Sequence, residues 1–336
     1  MKPKVFVTRR IPTPGPEILE EYCEVDVFLG EHPPRKEEIL KGVRGKDALL
    51  CLLTEKIDRD IMDAAPNLKV ISSFSVGYDH IDVAEATRRG IYVTYTPGVL
   101  TEATADFAWT LLMATARRIV EADRVVRTGN WKVAWGPTIL LGDDVYGKTL
   151  GIVGLGRIGT AVAQRAKGFN MKTIYFDTIR APLEKEKQLG IDYVPLDMLL
   201  EESDFVSVHV PLMKETHHFF SEAQFRRMKR TAFLINTSRG AVVDEKALAK
   251  ALHEKLIAGA ALDVFEKEPT DPDNPLLNME NVVLAPHIAS ATKEARSKMS
   301  EVSAKNLIAV LKGEMPLFLV NKEVLNVKPL PQVKTI

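Results

Sequence analysis

Three ionisable side chains, each placed just after an apolar strand-like run, have the chemistry of a catalytic site. Arg239 follows the run AFLINTS, Glu268 lies in the turn EKEPTDP after AGAALDVF, and His287 ends the run NVVLAPH. The planar arginine fork can hold a carboxylate through two parallel hydrogen bonds, and histidine can exchange a proton near neutral pH. A glutamate bonded to that imidazole would orient it and favour its protonated form. Beside a nicotinamide, this set would suit the reduction of a 2-oxo acid.

Each of these residues also has an ordinary structural interpretation. An arginine after a strand is commonly a surface ion-pair partner, and a Pro-His pair commonly lies in a loop. Other candidates for chemistry are weaker. Ser238 lacks a G-x-S-x-G elbow and a nearby base, while the adjacent His217 and His218 have no further ligands at metal spacing. The sequence therefore predicts neither a hydrolase nor a metal site.

The segment GLGRIG, Gly154–Gly159, matches the dinucleotide-binding pattern G-x-G-x-x-G. It follows the strand-like run Thr149–Val153 and opens a helical stretch, Arg157–Phe169, which leads into a second strand ending at Asp177. The three glycines permit a tight turn, close approach of the backbone to a pyrophosphate, and close packing of helix on strand. Asp177 stands where an acid would meet the ribose hydroxyls. This complete context favours dinucleotide binding over a glycine-rich turn without a ligand.

The elements that must position these residues alternate between strand-like and helical patterns, which indicates an α/β protein with parallel sheets. The strand-like runs of a first unit are Lys4–Thr8, Glu24–Leu29, Asp47–Leu53, Leu68–Phe74 and Ile91–Tyr95. Those of a second unit are Thr149–Val153, Thr173–Asp177, Phe205–Val210, Ala232–Thr237, Ala258–Phe265 and Val282–Ala285. The first unit has no glycine fingerprint in its opening turn, VTRRIPTPG, so the second unit is expected to bind the cofactor.

Two helical stretches connect the units. Thr101–Ile119 is apolar on almost every side, and Thr292–Leu311 is followed by a tail that is too short to form a third domain. We therefore expect the tail to return to the first unit. The predicted domains are residues 1–98 with 290–336, which would bind substrate, and the inserted residues 99–289, which would bind NAD(P).

Composition narrows the classes of protein further. The chain has 336 residues, 46% hydrophobic and 27% charged, with 45 basic and 45 acidic residues and two cysteines. A zero formal net charge argues against a general electrostatic grip on nucleic acid or an anionic membrane. No apolar run is long enough for a membrane span, and the first residues lack a secretory signal. Two isolated cysteines fit a reducing compartment, so a cytoplasmic location is expected.

The ordered motifs resemble those of the D-isomer-specific 2-hydroxyacid dehydrogenase family. Besides the fingerprint, the motifs are VGYDHID, TRRGIYVTYTPG, HVPLMKET, INTSRGAVVDE, ALDVFEKEP and APHIASAT. Within the family the chain is most similar to the archaeal-type glyoxylate/hydroxypyruvate reductases. The resemblance implies two Rossmann-like domains, a flavodoxin-like substrate domain and an inserted dinucleotide-binding domain. It also implies a small 2-oxo or 2-hydroxy acid as substrate and a homodimer, in which the segment 131–141 reaches the partner.

The resemblance also implies roles for residues at matching positions. Arg239 would hold the substrate carboxylate, Glu268 would pair with His287, and His287 would be the proton donor. Arg239 and His287 would bind substrate together with Leu53, Val76 and Gly77. The positions that would contact the cofactor are Thr104, Gly154, Leu155, Gly156, Arg157, Ile158, Gly159, Asp177, Val210, Pro211, Thr216, Thr237, Ser238, Arg239 and Asp263.

The sequence leaves more than one possibility open for the preferred cofactor and for the function. Asp177 favours NAD over NADP because a carboxylate would repel a 2′-phosphate, although Arg180, three residues on, could swing toward that phosphate. Another D-2-hydroxyacid dehydrogenase, such as a phosphoglycerate dehydrogenase, is one alternative. A non-enzymatic NAD-binding module like the corepressors that share this fold is another, because those proteins keep the same Arg, Glu and His.

Overall fold

The computed structural model describes residues 2–336, which divide into two compact units. The first unit contains the described residues up to Leu100 together with Ala291–Ile336, and the second contains Thr101–Ser290. Each unit is built on one sheet of parallel strands. The α/β fold class with two parallel sheets, predicted from the sequence, is confirmed.

Twelve named strands form the two sheets within residues 2–336. Their bounds are β1 Lys4–Val7, β2 Glu24–Val27, β3 Ala48–Cys51, β4 Val70–Ser73, β5 Tyr92–Thr94, β6 Thr149–Val153, β7 Lys172–Phe176, β8 Ile191–Tyr193, β9 Phe205–Val208, β10 Phe233–Asn236, β11 Gly259–Leu262 and β12 Val282–Leu284. The first sheet has the order β2-β1-β3-β4-β5, which is the flavodoxin-like order. The second has the order β12-β11-β10-β9-β6-β7-β8, a Rossmann order extended by one edge strand.

Helices connect the strands and cover the sheets. Their bounds are α1 Gly15–Tyr22, α2 Lys36–Gly42, α3 Arg59–Ala64, α4 Val83–Arg88, α5 Thr101–Ala116, α6 Ile119–Arg127, α7 Arg157–Ala166, α8 Leu183–Leu189, α9 Leu196–Glu202, α10 Glu222–Arg227, α11 Glu245–His253, α12 Lys293–Leu311, α13 Val324–Val327 and α14 Leu330–Val333. No helix within the described part of the chain combines the length and apolar character that a membrane crossing needs.

The central strands of the second unit are buried on both faces. Every residue of β9, β10 and β11 is inaccessible or nearly so, as expected for parallel strands that have helices on both sides. One apolar layer joins α5 and α7 to the sheet, and the other joins α9, α10 and α11 to its opposite face. This packing fixes the carboxyl ends of the strands, where the candidate catalytic residues lie.

The carboxyl-terminal segment packs within the first unit. The amide of Val320 donates to the carbonyl oxygen of Val93 at 2.8 Å, and the amide of Val93 donates to Asn321 Oδ1 at 2.8 Å. Asn306, on the buried helix α12, donates through Nδ2 to the carbonyl oxygen of Tyr95 at 3.1 Å. Asn321 and the backbone of Val320 thus give the edge strand β5 the partners that a further strand would otherwise supply, and Asn306 binds the residue that follows the strand.

Candidate active site

Arg239, Glu268 and His287 follow three neighbouring strands of the second sheet. Arg239 comes after β10, Glu268 after β11 and His287 after β12, and these strands are adjacent and parallel. Their carboxyl ends therefore meet at one edge, where open α/β sheets bind ligands. The turn at Gly240 packs directly on the turn after β11, since a Cβ at Gly240 would lie 1.8 Å from the carbonyl carbon of Phe265.

Glu268 and His287 form a short hydrogen bond. Nδ1 of His287 donates to Oε2 of Glu268 at 2.6 Å, and Oε1 of Glu268 accepts from the amide of Phe265 at 3.0 Å. The two side chains keep 22% and 27% of their surfaces exposed, so the pair is accessible to a small ligand. Because Nδ1 is bound to the carboxylate, Nε2 is the nitrogen that can exchange a proton with a substrate.

The charge of Glu268 is stabilised by its surroundings. Burial alone would raise the pKa of this carboxyl, and the hydrogen bond and charge of His287 oppose that effect. The amide of Phe265 and the charge of Arg239 act in the same direction, and the pKa of Glu268 is held below its ordinary value. A carboxylate that stays ionised can stabilise positive charge on the His287 ring.

Asp263 holds the backbone on both sides of His287. Its carboxylate accepts from the amides of Ile288 at 2.7 Å and Ala289 at 2.8 Å, and its carbonyl oxygen accepts from the amide of His287 at 2.8 Å. Burial raises the pKa of Asp263, although the two amides oppose that shift. His287 itself has φ of 55°, a left-handed conformation that is uncommon for any residue other than glycine. Asp263 therefore stabilises a strained loop.

Asn236 shapes the turn that carries Arg239. This asparagine is fully buried at the end of β10. Its Oδ1 accepts from the amide and the hydroxyl of Ser238 at 3.0 and 2.8 Å, and its Nδ2 donates to the carbonyl oxygen of Arg239 at 3.0 Å. Nη1 of Arg239 donates to the carbonyl oxygen of Ser238 at 2.9 Å. The predicted site residues Ser238 and Arg239 are thus set by a residue that sequence reasoning missed, although a polar residue ending an apolar strand is a usable signal.

The dinucleotide fingerprint forms the predicted strand–turn–helix. Gly154 has φ of 95°, and a Cβ there would lie 2.9 Å from the backbone of His209. A Cβ at Gly159 would lie 2.1 Å from the carbonyl oxygen of Gly154, so both positions exclude a side chain. Gly156 is the N-cap of α7, and a Cβ there would meet no atom within 4 Å. Gly156 precedes the first turn of α7, where the amides of Arg157 and Ile158 have no carbonyl partner within the helix.

The acid at the end of β7 is directed toward this turn. Asp177 Oδ2 accepts from the amide of Leu155 at 2.8 Å, and Oδ1 accepts from the hydroxyl of Thr178 at 3.3 Å. Arg180 is held away by Glu186, through Nε to Oε1 and Nη2 to Oε2, both at 2.9 Å, and it stacks over the Tyr193 ring. The swing of Arg180 toward a cofactor phosphate, considered from the sequence, would require breaking this bidentate pair.

The other predicted cofactor positions belong to the same unit. Thr216 donates through its hydroxyl to the carbonyl oxygen of Pro211 at 2.6 Å, which closes the loop that begins at Val210. Thr237, 8% exposed, has a buried hydroxyl without a hydrogen-bond partner within the described structure. Thr104 is buried on α5. An unpartnered hydroxyl at a strand end and an open helix N-terminus fit a bound dinucleotide, whose phosphates and hydroxyls could satisfy them.

His209 lies behind the fingerprint as a neutral imidazole. Its Nε2 lies 2.8 Å from the hydroxyl of Ser207, and its amide donates to the carbonyl oxygen of Val153. Burial lowers the pKa of His209 to about 4. This histidine therefore contributes no positive charge to the site at neutral pH.

The remaining predicted substrate residues belong to the first unit. Leu53 follows β3, whereas Val76 and Gly77 follow β4, and the two strands are neighbours. Glu55 is 2% exposed, and its Oε2 accepts from the amide of Leu52 and the hydroxyl of Thr8, both at 2.6 Å. This buried carboxylate, which sequence reasoning missed, anchors the loop that carries Leu53. No group of three or more metal-binding side chains is present in residues 2–336.

Comparison with known proteins points to one family. A family model described as "D-isomer specific 2-hydroxyacid dehydrogenase, NAD binding domain" matches residues 109–289. The chain is 63% identical over 329 residues to a glyoxylate reductase of Korarchaeum cryptofilum, covering 98% of this chain and 99% of that protein. It is 60% identical over 336 residues to a glyoxylate reductase of Thermofilum pendens, covering 100% and 99%.

A solved structure gives the same result. The NADPH-dependent glyoxylate/hydroxypyruvate reductase of Sinorhizobium meliloti, solved in complex with NADP and malonate, matches with a TM-score of 0.82. Its sequence is 35% identical, and the match covers 96% of this chain and 98% of that one. The resemblance stated from the sequence motifs is confirmed by all three comparisons.

Proposed function

Because this chain belongs to the D-isomer-specific 2-hydroxyacid dehydrogenase family and is an NAD(P)-dependent oxidoreductase, we propose that it reduces glyoxylate and hydroxypyruvate to the 2-hydroxy acids. The observation that carries the proposal is the hydrogen bond of 2.6 Å between Glu268 and His287. These two residues follow β11 and β12, and β11 lies between β12 and β10, the strand that Arg239 follows. This set supplies a carboxylate anchor and a proton donor, the two functions that reduction of a 2-oxo acid requires of the protein.

In the proposed mechanism Arg239 holds the substrate carboxylate through its planar fork and draws electron density from the adjacent carbonyl. His287 donates a proton from Nε2 to the carbonyl oxygen, because Nδ1 is held by Glu268. Glu268 stabilises the charged ring before the transfer. When bound, a nicotinamide dinucleotide would supply the hydride, while the residues of this chain would supply orientation, charge and a proton.

The dinucleotide would be held by the fingerprint turn and the strand ends of the second unit. The backbone from Leu155 to Ile158 would bind the pyrophosphate, and Asp177 the ribose hydroxyls. The hydroxyl of Thr237 would gain a partner. We therefore assign cofactor binding to residues 99–289, and substrate binding by Leu53, Val76 and Gly77 to residues 1–98 with 290–336.

We also propose that the active form is a homodimer in the cytoplasm. Several apolar side chains of the segment 131–141 are exposed, among them Trp131 at 59%, Trp135 at 79% and Leu141 at 63%. A groove of 1180 Å³ lies at the amino ends of β10, β11 and β12, lined by α6, and would take an apolar segment of a second copy.

The two buried, free cysteines, Cys23 and Cys51, support a reducing compartment. The balanced charge supports a small-molecule substrate rather than nucleic acid.

Steady-state kinetics with purified protein test the function. Glyoxylate, hydroxypyruvate and pyruvate are each supplied with NADH and with NADPH, and oxidation of the nicotinamide is followed by its absorbance. We expect kcat/KM to be highest for glyoxylate or hydroxypyruvate. A protein that binds the dinucleotides but turns over none of these acids would show that the proposal is wrong and would favour a non-enzymatic binding role.

A further inference from the structure

Lys185, on α8, reaches the dinucleotide fingerprint from the side of Asp177. Its Nζ donates to the carbonyl oxygen of Leu155 at 3.4 Å, while the amide of Leu155 donates to Asp177 Oδ2 at 2.8 Å. The amide nitrogen and carbonyl oxygen of one residue are at most about 4 Å apart, so the ammonium and the carboxylate lie within about 10 Å of each other.

Lys185 differs from Arg180 and Lys187, the two cations nearest to it in the chain, because it has no carboxylate partner within residues 2–336. Arg180 is bound to Glu186 through two hydrogen bonds, and Lys187 forms an ion pair with Glu184 at 3.3 Å. In the described part of the chain, the Lys185 ammonium donates a hydrogen bond to the carbonyl oxygen of Leu155, which carries no net charge. Its charge is therefore available to an anion placed near the ribose end of the fingerprint.

We propose that Lys185 is a cofactor-selectivity residue, whose ammonium binds the 2′-phosphate of NADPH and so allows this chain to use NADPH as well as NADH. The inference rests on the proposed function, in which Asp177 meets the adenine-side ribose. A 2′-phosphate carries a charge near −2 at pH 7 and would be repelled by Asp177 alone. A lysine on a flexible four-carbon stem can move from the carbonyl of Leu155 to such a phosphate.

Arg180 is the other cation of the segment between β7 and α8, and the structure disfavours it. Its guanidinium would have to leave both oxygens of Glu186 and the face of Tyr193, whereas Lys185 would give up one long hydrogen bond to a carbonyl. Recruiting Arg180 would also leave Glu186, only 8% exposed, without its cationic partner. Of Arg180 and Lys185, Lys185 is therefore the cation that costs less to recruit.

Dissociation constants for NADH and NADPH, measured by calorimetry on the full chain without substrate, test the inference. In Lys185→Gln we expect the ratio of the NADPH to the NADH dissociation constant to rise about tenfold, the loss of one charge-assisted hydrogen bond. Lys185→Arg should keep the wild-type ratio. The matched control Lys187→Gln, on the same helix, should also keep it. Added salt should weaken NADPH binding more in the wild type than in Lys185→Gln.

Other outcomes overturn the inference. If Lys185→Gln weakens both cofactors equally, the lysine only supports the turn at Leu155. If the ratio changes by less than about threefold in Lys185→Gln, but rises in Arg180→Gln, Arg180 binds the phosphate. A wild-type protein that binds NADH and not NADPH would also contradict the role of Lys185 while leaving the proposed function intact. A protein that binds neither dinucleotide would contradict both.

Discussion

At His287, the hydrogen bond from Nδ1 to Glu268 leaves Nε2 as the atom that can pass a proton to a substrate. Glu268 is kept ionised by its own contacts, and Asp263 fixes the backbone that carries the ring. In the proposed mechanism the three residues have separate tasks, namely proton transfer, charge stabilisation and positioning. Substitutions at these positions should therefore have different kinetic signatures.

Replacement of the proton donor is the most direct test at this scale. We expect His287→Asn to lower kcat for glyoxylate by a factor on the order of 10²–10⁴, because a general acid is lost. The dissociation constant for NADH should change little, because the fingerprint lies elsewhere in the unit. The control is His253→Asn, an exposed histidine at the end of α11. Near wild-type turnover by His287→Asn would show that another group supplies the proton.

Replacement of the carboxylate anchor should act on every substrate. Arg239→Lys keeps the charge but removes the planar fork, so we expect kcat/KM to fall for 2-oxo acids of all sizes, by about 10²-fold. The fall should be measured for glyoxylate and hydroxypyruvate together. Arg226→Lys, a surface arginine paired with Glu222, is the control. A loss confined to one substrate would indicate that Arg239 contacts the variable end of the substrate instead.

His209 predicts a dependence of stability on pH. Its pKa is about 4 in the folded protein and 6.5 in the unfolded chain, so the unfolded chain binds the proton first as the pH falls. The stability that the neutral His209 contributes is fully present above pH 6.5, and it is lost as the pH falls from 6.5 toward 4. The whole pKa difference corresponds to ~3 kcal/mol; because the residue retains some exposure to water, we expect about half of this.

Urea unfolding between pH 7 and pH 4 measures the effect of His209. The variant His209→Gln should lose less stability than the wild type over that range, whereas His253→Gln should behave as the wild type does. Equal pH dependence in the wild type and His209→Gln would show that folding does not lower the pKa of His209.

Sequence reasoning found the residues whose signal is local and missed those whose role depends on partners distant in the chain. Arg239, Glu268 and His287 were identifiable because each follows an apolar strand, and parallel strands bring their carboxyl ends together. Asn236 was missed because its task appears only when the turn folds back on it. The state of Arg180 depends on its pairing with Glu186, which nothing in the local pattern predicts.

At the scale of elements, the fingerprint contains glycines with no room for a side chain and one glycine, Gly156, with free space beside it. Gly156 in the β6–α7 turn and Gly159 in the first turn of α7 have different reasons for being glycine, since Gly159 lies against the backbone of Gly154 while Gly156 borders empty space. The sequence pattern treats the two alike. Their difference separates the demands of folding from those of binding.

That difference can be measured with two matched variants. Gly159→Ala places a methyl group 2.1 Å from a backbone oxygen, so we expect it to destabilise the fold by about 2 kcal/mol or more and to lower the thermal midpoint. Gly156→Ala should leave the midpoint of the free protein within a few degrees of wild type and weaken NADH binding, because a methyl group there would block approach of the pyrophosphate. A stable Gly156→Ala protein with wild-type affinity would contradict the assigned cofactor position.

The elements that the sequence did not reveal are short or lack periodicity. The edge strand β8 has three residues, too few to show an alternating pattern. Helix α6 begins just after Arg118, whose φ of 51° separates it from α5. The sequence predicts one helical stretch, Thr101–Ile119, and no helix directly after it, so α6 is an element that the structure adds.

At the scale of the whole molecule, the exposed apolar segment predicts association. In light-scattering chromatography we expect a mass about twice the 37.4 kDa of one chain. Trp131→Asp combined with Leu141→Asp should lower that mass toward a single chain, because charges would replace apolar contacts in the interface. Leu29→Asp, an exposed leucine in the first unit, is the control. A single-chain mass for the wild type would contradict the proposed homodimer.

The left-handed backbone at His287 lowers the stability of the loop that holds the proposed proton donor. A glycine there would adopt φ of 55° without strain, and an asparagine would adopt it more readily than histidine does. Glycine or asparagine would therefore give a more stable loop at this position, whereas the proposed proton transfer requires the histidine. Efforts to engineer a hardier enzyme from this chain should leave the loop from Pro286 to Ala289 untouched and seek added stability elsewhere.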